Sequence, residues 1–575
     1  MKKYINIIII ALLLSVTGCY DLDRAPFNEL SSSTFWKTEA QCKQGLMAVY
    51  ASLKKDDLYG KQFLTDVNSD IADGYDQYEV LQLGTMTNRT GFVLGKWQNG
   101  YNGIQSANLA IHNIESADID ETVKKQMIGE AKFLRALIYF HLYDYFGRLP
   151  LYDETVDLEK DINNLKKARS SDTETLDFIL NDLRAALNAG LPVNYPASDY
   201  GRVTQGSVYA LLGKVYLYAK NYKESIKAFE EVVKSEYGYE LNVSFADLFC
   251  PQGNGNKEMV FGIVNTGGVG KDNGMPFAWY AGTRTTFGSC WNNTVPSTNL
   301  ADMYEYIDGR PFNWDELFPG YTTDNKVKEK VMCTIVSDDG TAVVAYPTER
   351  EQVLAMYDQR DPRFSATLIA PYSTYESFPY PPYVTLIYGR KVSDGEIVAT
   401  NGVNGFMQNN RGTSWESYFW RKFVPEGDWN KAINDRAHTP VNYCIIRLAD
   451  VYLMLAEAYN EDGQQAKAVE YINKVRGRAG IAFLNSGPAW LTANTKDEVF
   501  NRIFREKAFE FANEGIRDSD LRRWRLSDKL LNRVDYGVTG RPMLTRIFEA
   551  KRDYLWPVPG AERDYNPELE QNPGW

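Results

Sequence analysis

The sequence predicts a mainly α protein in which a scaffold of helical hairpins carries a loop-rich, partly β insertion. Two observations predict it. Helical periodicity dominates both ends of the chain and fades between about residues 240 and 440. Six positions also recur at identical offsets in two segments: Leu212, Gly213, Tyr216, Ser225, Phe229, Val232, and again Leu455, Ala456, Tyr459, Ala468, Ile472, Val475. This is the small/large spacing of a tetratricopeptide-like hairpin, where small residues let two antiparallel helices approach closely.

The elements follow in order. Lys2 and Lys3 precede an apolar stretch from Ile5 to Val16, which has the length of a secretory h-region and is too short to span a bilayer. Val16-Thr17-Gly18-Cys19 then resembles a lipobox, so residues 1–18 are expected to be a lipoprotein signal peptide, with Cys19 lipidated. No other window holds 18 continuous apolar residues, so lipid alone is expected to hold a soluble body to a membrane. Helices are predicted over 38–55, 97–117, 122–146 and 173–188, the last stopped by Gly190 and Pro192. The middle contains Gly253-Asn254-Gly255-Asn256, Gly267-Gly268-Val269-Gly270 and β-like runs at Glu258–Val264 and Val384–Ile387. The expected partition is a helical part 19–240, a ligand-binding insertion 241–440 and a helical part 441–575, all within one body spanning 19–575.

Composition narrows the function. Hydrophobic residues at 44% and charged residues at 24% exclude a disordered chain. A net charge of −12 argues against nucleic acid as a partner. The three histidines are far apart, and the cysteines beyond Cys19 are five with no CxxC spacing, which supports neither a zinc site nor a disulfide framework. The 38 Tyr and 12 Trp are the unusual feature, because each pairs a flat apolar face with a polar handle suited to a wet ligand surface.

Further motifs carry a family resemblance. They are Phe35-Trp36-Lys37-Thr38-Glu39, Gly129-Glu130-Ala131-Lys132-Phe133-Leu134-Arg135-Ala136, Phe146-Gly147-Arg148-Leu149-Pro150-Leu151 and Gly201-Arg202-Val203-Thr204. Later come Arg447-Leu448-Ala449-Asp450-Val451-Tyr452-Leu453, Glu514-Gly515-Ile516-Arg517, Asp520-Leu521-Arg522-Arg523-Trp524 and Gln571-Asn572-Pro573-Gly574-Trp575. Together they resemble the SusD/RagB family of outer-membrane nutrient-binding lipoproteins. Arg505-Glu506-Lys507-Ala508-Phe509-Glu510 departs from the family pattern, with consequences for packing rather than function. The resemblance implies a surface-exposed lipoprotein of the outer membrane that captures a glycan, less often a peptide, without catalysis. It also implies a partner, a SusC-like TonB-dependent transporter.

Sugar rings need flat aromatic faces against their C–H patches and amide, carboxylate or Arg groups for their hydroxyls. The richest stretch is 276–293, with Trp279, Tyr280, Arg284, Trp291 and Asn292 among glycines that argue against one core stripe. The family places aromatic ligand platforms there. A second candidate is the loop 66–92, from which Asn68, Asp73 and Tyr75 are drawn. Asn68, Asp70 and Asp73 could meet hydroxyls or hold a structural Ca²⁺, against helix capping or solvation as the plainer roles; no other cofactor is expected. Trp97 is assigned to the core, and Trp415, Tyr418, Phe419 and Trp420 to packing of the insertion. The run Arg505, Glu506, Glu510, Glu514, Arg517, Asp520, Arg523 has the spacing of helical ion pairs. Two other functions stay open: a glycoside hydrolase using two of the many carboxylates, and a helical-repeat adaptor that binds only protein.

Overall fold

The computed structural model describes residues 35–156, 165–265, 274–287, 289–379, 382–398, 405–407 and 415–575. The segment 1–18 expected to be a signal peptide, Cys19 and the glycine run 267–270 lie outside the described residues. The scaffold opens with α1 (Glu39–Ser52), α2 (Gly91–Glu115), α3 (Glu121–Phe146) and α4 (Asp172–Leu187). Thr38 and Ser171 cap α1 and α4 with reciprocal boxes to Gln41 and Glu174, which satisfies amides that a helix start leaves open. Helix α2 begins six residues before its predicted start, because Phe92 and Val93 are buried and extend its apolar face by a turn.

Both repeated segments are hairpins: α5 (Gln205–Tyr218) with α6 (Tyr222–Val232), and α7 (Leu448–Glu461) with α8 (Gln465–Ala479). The small residue at the second repeat position explains the spacing. A Cβ on Gly213 would stand 2.6 Å from the Phe229 ring, and Ser225 Oγ donates to the Gly213 carbonyl at 2.9 Å. The hairpins pack against each other although they are far apart in sequence, and the Tyr459 hydroxyl donates to Glu230. What closes the gap is a strand pair at the base of the insertion: Met259–Ile263 runs antiparallel to Tyr443–Arg447, with Ile263 opposite Tyr443 and Met259 opposite Arg447.

Helix α9 (Lys496–Phe511) joins the scaffold to the insertion. Its Phe509 stacks on Tyr304 with ring centroids 4.8 Å apart, inside an apolar cluster that also holds Trp415, Tyr418, Phe419 and Trp420. Trp97 is buried in the scaffold core. Beyond Leu530 the chain is no longer chiefly helical. It forms a hairpin of Val534–Tyr536 with Pro542–Thr545 and then an irregular run rich in proline. That run is anchored: Asn572 Nδ2 donates to the Phe146 and Trp556 carbonyls at 2.9 and 2.7 Å. No helix among the described residues is long and apolar enough to cross a membrane.

An ion-pair network ties the parts together. Arg447, at the end of strand Tyr443–Arg447, meets Glu258 at 2.6 Å, Glu510 at 2.6 Å and Glu514 at 2.7 Å. Arg363 meets Asp361, Glu506 and Glu510, while Lys507 bridges Asp450 and Asp520. Burial alone would raise the Glu510 carboxyl, yet Arg478, Arg447 and Arg363 hold it well below the usual carboxylate range. The charged run of α9 and the segment after it therefore works as structural cement.

Candidate functional site: an aromatic platform beside a cationic depression

Short-range geometry turns the 276–293 stretch into a surface. Residues Phe277–Ala281 form a single helical turn that buries Phe277, Ala278 and Ala281 and leaves Trp279 and Tyr280 half-buried. The following turn folds back on itself, with the Cys290 amide donating to the Thr283 carbonyl at 3.0 Å and the Trp291 amide to the Trp279 carbonyl at 2.8 Å. Ser289 and Asn292 take left-handed conformations, φ 67° and 55°. Such strain in non-glycine residues is tolerated where the surroundings enforce it. Here it throws Trp291 outward, 41% exposed, between the fully buried Cys290 and Asn292. Strand Thr294–Pro296 then pairs antiparallel with Ala72–Gly74, which brings the 66–75 segment alongside.

The result is an angled pair of indoles, Trp279 and Trp291, with ring centroids 5.0 Å apart and planes at 45°. The Tyr75 hydroxyl donates to the Trp291 carbonyl at 2.5 Å and holds the loop from behind. The Arg436 guanidinium lies 4.3 Å from the centre of the Trp279 ring and donates to the Ser289 carbonyl. Trp279 and Tyr280 also line a depression of about 810 Å³ together with Lys54, Lys55, Asp56, Lys61, Asn99 and His438. Lys61 pairs with Asp56 at 2.7 Å and sits 5.0 Å over Tyr280. Burial works against its ammonium, but the bonds to Asp56 and Tyr280 hold its pKa above the ordinary lysine value. The Asn292 amide is buried without a hydrogen-bond partner among the described residues, an arrangement that costs about 1–3 kcal/mol and is rare away from function.

A family model of the SusD family matches residues 257–575, and a second, described as "Starch-binding associating with outer membrane", matches 22–217. The chain belongs to the SusD family. Among its relatives, SusD-like protein P2 of Formosa agariphila is 26% identical, with 100% of both chains covered. A solved SusD-like carbohydrate binding protein of Bacteroides fragilis superposes with a TM-score of 0.74 at 24% identity, covering 93% of this chain and 100% of its own. A laminarin binding SusD-like protein gives a TM-score of 0.61 at 23% identity, over 94% and 100%.

Within this SusD-family chain the expected site residues separate. Trp279, Tyr280, Trp291 and Tyr75 converge on one surface, and Asn292 adjoins it. Arg284 is half-buried on the same loop but does not line the depression. Asn68 and Asp73 sit in the scaffold instead. Asn68 is buried with its Nδ2 donating to Asp518 at 2.7 Å, and Asp73 is fully buried against Arg546 at 2.7 Å. Asp70 is paired to Arg517 at 2.8 Å, so these acids face arginines rather than each other, and they form no Ca²⁺ cage. No group of three His, Cys, Asp or Glu among the described residues is placed to hold a metal. Burial and the neighbouring Asp535 push the Asp73 carboxyl up against the pull of Arg546, which also disfavours a cation ligand there. The SusD motif residues Glu130 and Arg202 pair at 2.5 Å, and Arg523 pairs with Glu457, so these motif positions hold the fold.

Sequence reasoning missed Arg436 and the lysines of 54–61. No local pattern distinguishes them. Lys54 and Lys55 read as the polar end of the helix predicted over 38–55, and Arg436 as one charge in the insertion's tail; the backbone pairing of Met275 with Thr439, at 2.8 and 3.2 Å, helps to bring 436–438 to the platform.

Proposed function

We propose that this protein is a non-catalytic glycan-binding lipoprotein of the outer membrane, anchored through Cys19, that captures oligosaccharide at the cell surface and delivers it to a SusC-like TonB-dependent transporter. The observation that carries the reading is the angled Trp279/Trp291 pair opening beside an 810 Å³ depression. Two indoles at an angle can offer apolar surface to the C–H patches of sugar rings, and polar groups nearby can meet hydroxyls. Family membership supports the same reading, as do the carbohydrate- and laminarin-binding proteins that share the fold.

A binding role also suits where the carboxylates lie. One close acidic pair, Asp73 and Asp535, is buried with Arg546 in the scaffold, out of reach of a glycosidic bond that would need flanking carboxyls. Binding is expected to be weak to moderate, because a few stacked rings leave a small surplus over ordering costs. The test is an array of glycans and peptides probed with the soluble form starting after Cys19, followed by calorimetry on the hits and chromatography of the incubated ligand. Glycan hits returned intact support the reading. Hits confined to peptides, or cleaved product, would overturn it. Co-purification of the full-length lipoprotein with the transporter checks the partner.

A further inference from the structure

We infer that Arg436 is a positioning residue of the platform: its side chain braces the two limbs that carry Trp279 and Trp291 and holds the indoles at their angle before a ligand arrives. The inference rests on the platform reading above. It starts from what the backbone leaves unfixed. The Trp291 amide donates to the Trp279 carbonyl at 2.8 Å and the Asn293 amide to the Tyr280 carbonyl at 2.6 Å, so the main chains of the two limbs are fastened together. Those bonds set where each indole is attached. They do not set the χ angles of Trp279, which is half-buried and has staggered alternatives.

Arg436 supplies that restraint. Its guanidinium lies 4.3 Å from the centre of the Trp279 ring, and its Nη1 donates to the Ser289 carbonyl. One planar group therefore grips an indole on the outgoing limb and a carbonyl two residues before the indole on the return limb. Tryptophan is the best aromatic partner for a cation, and a guanidinium can stack and donate at once because its N–H groups lie in the plane that stacks. A lysine ammonium, a point charge on a flexible stem, does not combine the two.

The brace is itself anchored. Asp435 closes a turn: its side chain accepts from the Ala437 amide at 2.9 Å, its carbonyl accepts from the His438 amide at 3.0 Å, and His438 Nδ1 lies 2.9 Å from its carboxylate. Just beyond, Thr439 exchanges backbone bonds with Met275 at 2.8 and 3.2 Å, and its hydroxyl accepts from the Ala278 amide at 2.9 Å. Arg436 thus belongs to a segment fixed to the root of the same helical turn that carries Trp279. Holding an aromatic side chain in place beforehand removes an ordering cost that the ligand would otherwise bear, and that is how a positioning residue contributes to affinity.

The experiment first reads the indole angle without a ligand. Two indoles 5.0 Å apart with planes at 45° couple their electronic transitions and give a bisignate circular dichroism band, isolated by subtracting the spectrum of Trp291→Phe from that of the wild type. In the soluble protein starting after Cys19, Arg436→Gln and Arg436→Met should each lose most of this band while their thermal melts stay close to the wild type. Arg436→Lys should recover less than half of it. The same variants are then titrated on an array of neutral and acidic oligosaccharides. Every glycan that the wild type binds, whatever its charge, should bind about two- to tenfold more weakly, because the brace acts through the indoles. A wild-type band in Arg436→Gln and Arg436→Met, full recovery in Arg436→Lys, or a loss limited to acidic glycans would overturn the inference and leave the platform standing. Melting of the fold in all three variants would overturn it too, by making Arg436 a structural residue. An array without any glycan hit for the wild type would remove the platform reading, and with it the role in ligand binding, whereas the band would still report whether Arg436 sets the angle.

Discussion

Replacing Trp291 by Ala isolates the platform from the fold. Trp291 is 41% exposed. A tryptophan offers up to about 250 Å², so roughly 100 Å² of it faces solvent and is available to a ligand. At about 25 cal/mol per Å², full coverage would contribute ~2.5 kcal/mol. A single sugar ring covering half that surface would contribute ~1.2 kcal/mol. The expected loss in affinity therefore lies between about eightfold and seventyfold. The backbone bonds that shape the loop run through main-chain groups of Thr283, Trp279 and Tyr280, and none of them depends on the indole. The loop should persist in the variant. Calorimetry against the identified glycan reads the affinity, and thermal melting by circular dichroism confirms the fold. An affinity within twofold of the wild type, with an unchanged melt, would show that Trp291 does not bear ligand.

Four further outcomes test the scaffold. Glu510→Ala leaves Arg363, Arg447 and Arg478 partly uncompensated in the core and should cost about 3–5 kcal/mol by urea denaturation; a loss under 1 kcal/mol would refute the role given to the network. Asp66 is pushed up to about 7 by burial, against backbone bonds from Gly515 and Arg517, so the folded state keeps a proton that the unfolded chain releases near pH 4. Its contribution to stability falls as pH rises from about 4 to 7, and Asp66→Asn should flatten that part of the stability–pH profile measured by chemical denaturation. Glu510 has the opposite sign: its contribution is present above the unfolded glutamate value, about 4.3, and is lost as pH falls below it, so Glu510→Gln should reduce the acid sensitivity of the melt. Gly213→Ala adds a methyl 2.6 Å from the Phe229 ring, and should destabilise by roughly 1–3 kcal/mol despite alanine's better helix propensity; a more stable variant would contradict the close-packed hairpin.

The hairpins were legible because their information is local. Gly213 and Phe229, or Ala456 and Ile472, declare themselves through spacing that any helix of 3.6 residues per turn must respect, and a small residue opposite a large one is readable without coordinates. The family motifs were legible for the same reason, and the structure shows that Glu130, Arg447 and Glu514 are buried ion partners, with Arg202 half-buried against Glu130, that keep this fold together. The aromatic richness of 276–293 was also visible from the sequence.

Tertiary structure alone decided which of those residues meet solvent and which acids meet arginines. Asn68 and Asp73 looked like ligands in an acidic loop, but their partners Asp518 and Arg546 are 450 and 473 residues away in the chain. Trp291 and Trp420 are the same residue type, yet one is 41% exposed and the other fully buried. The difference comes from the left-handed turns at Ser289 and Asn292 and from the strand pairing behind them. Periodicity is set by neighbours a few residues apart, so the sequence by itself determined the helical scaffold and the family. Exposure and electrostatic pairing are set by contacts between segments hundreds of residues apart, and only the folded chain assigns them.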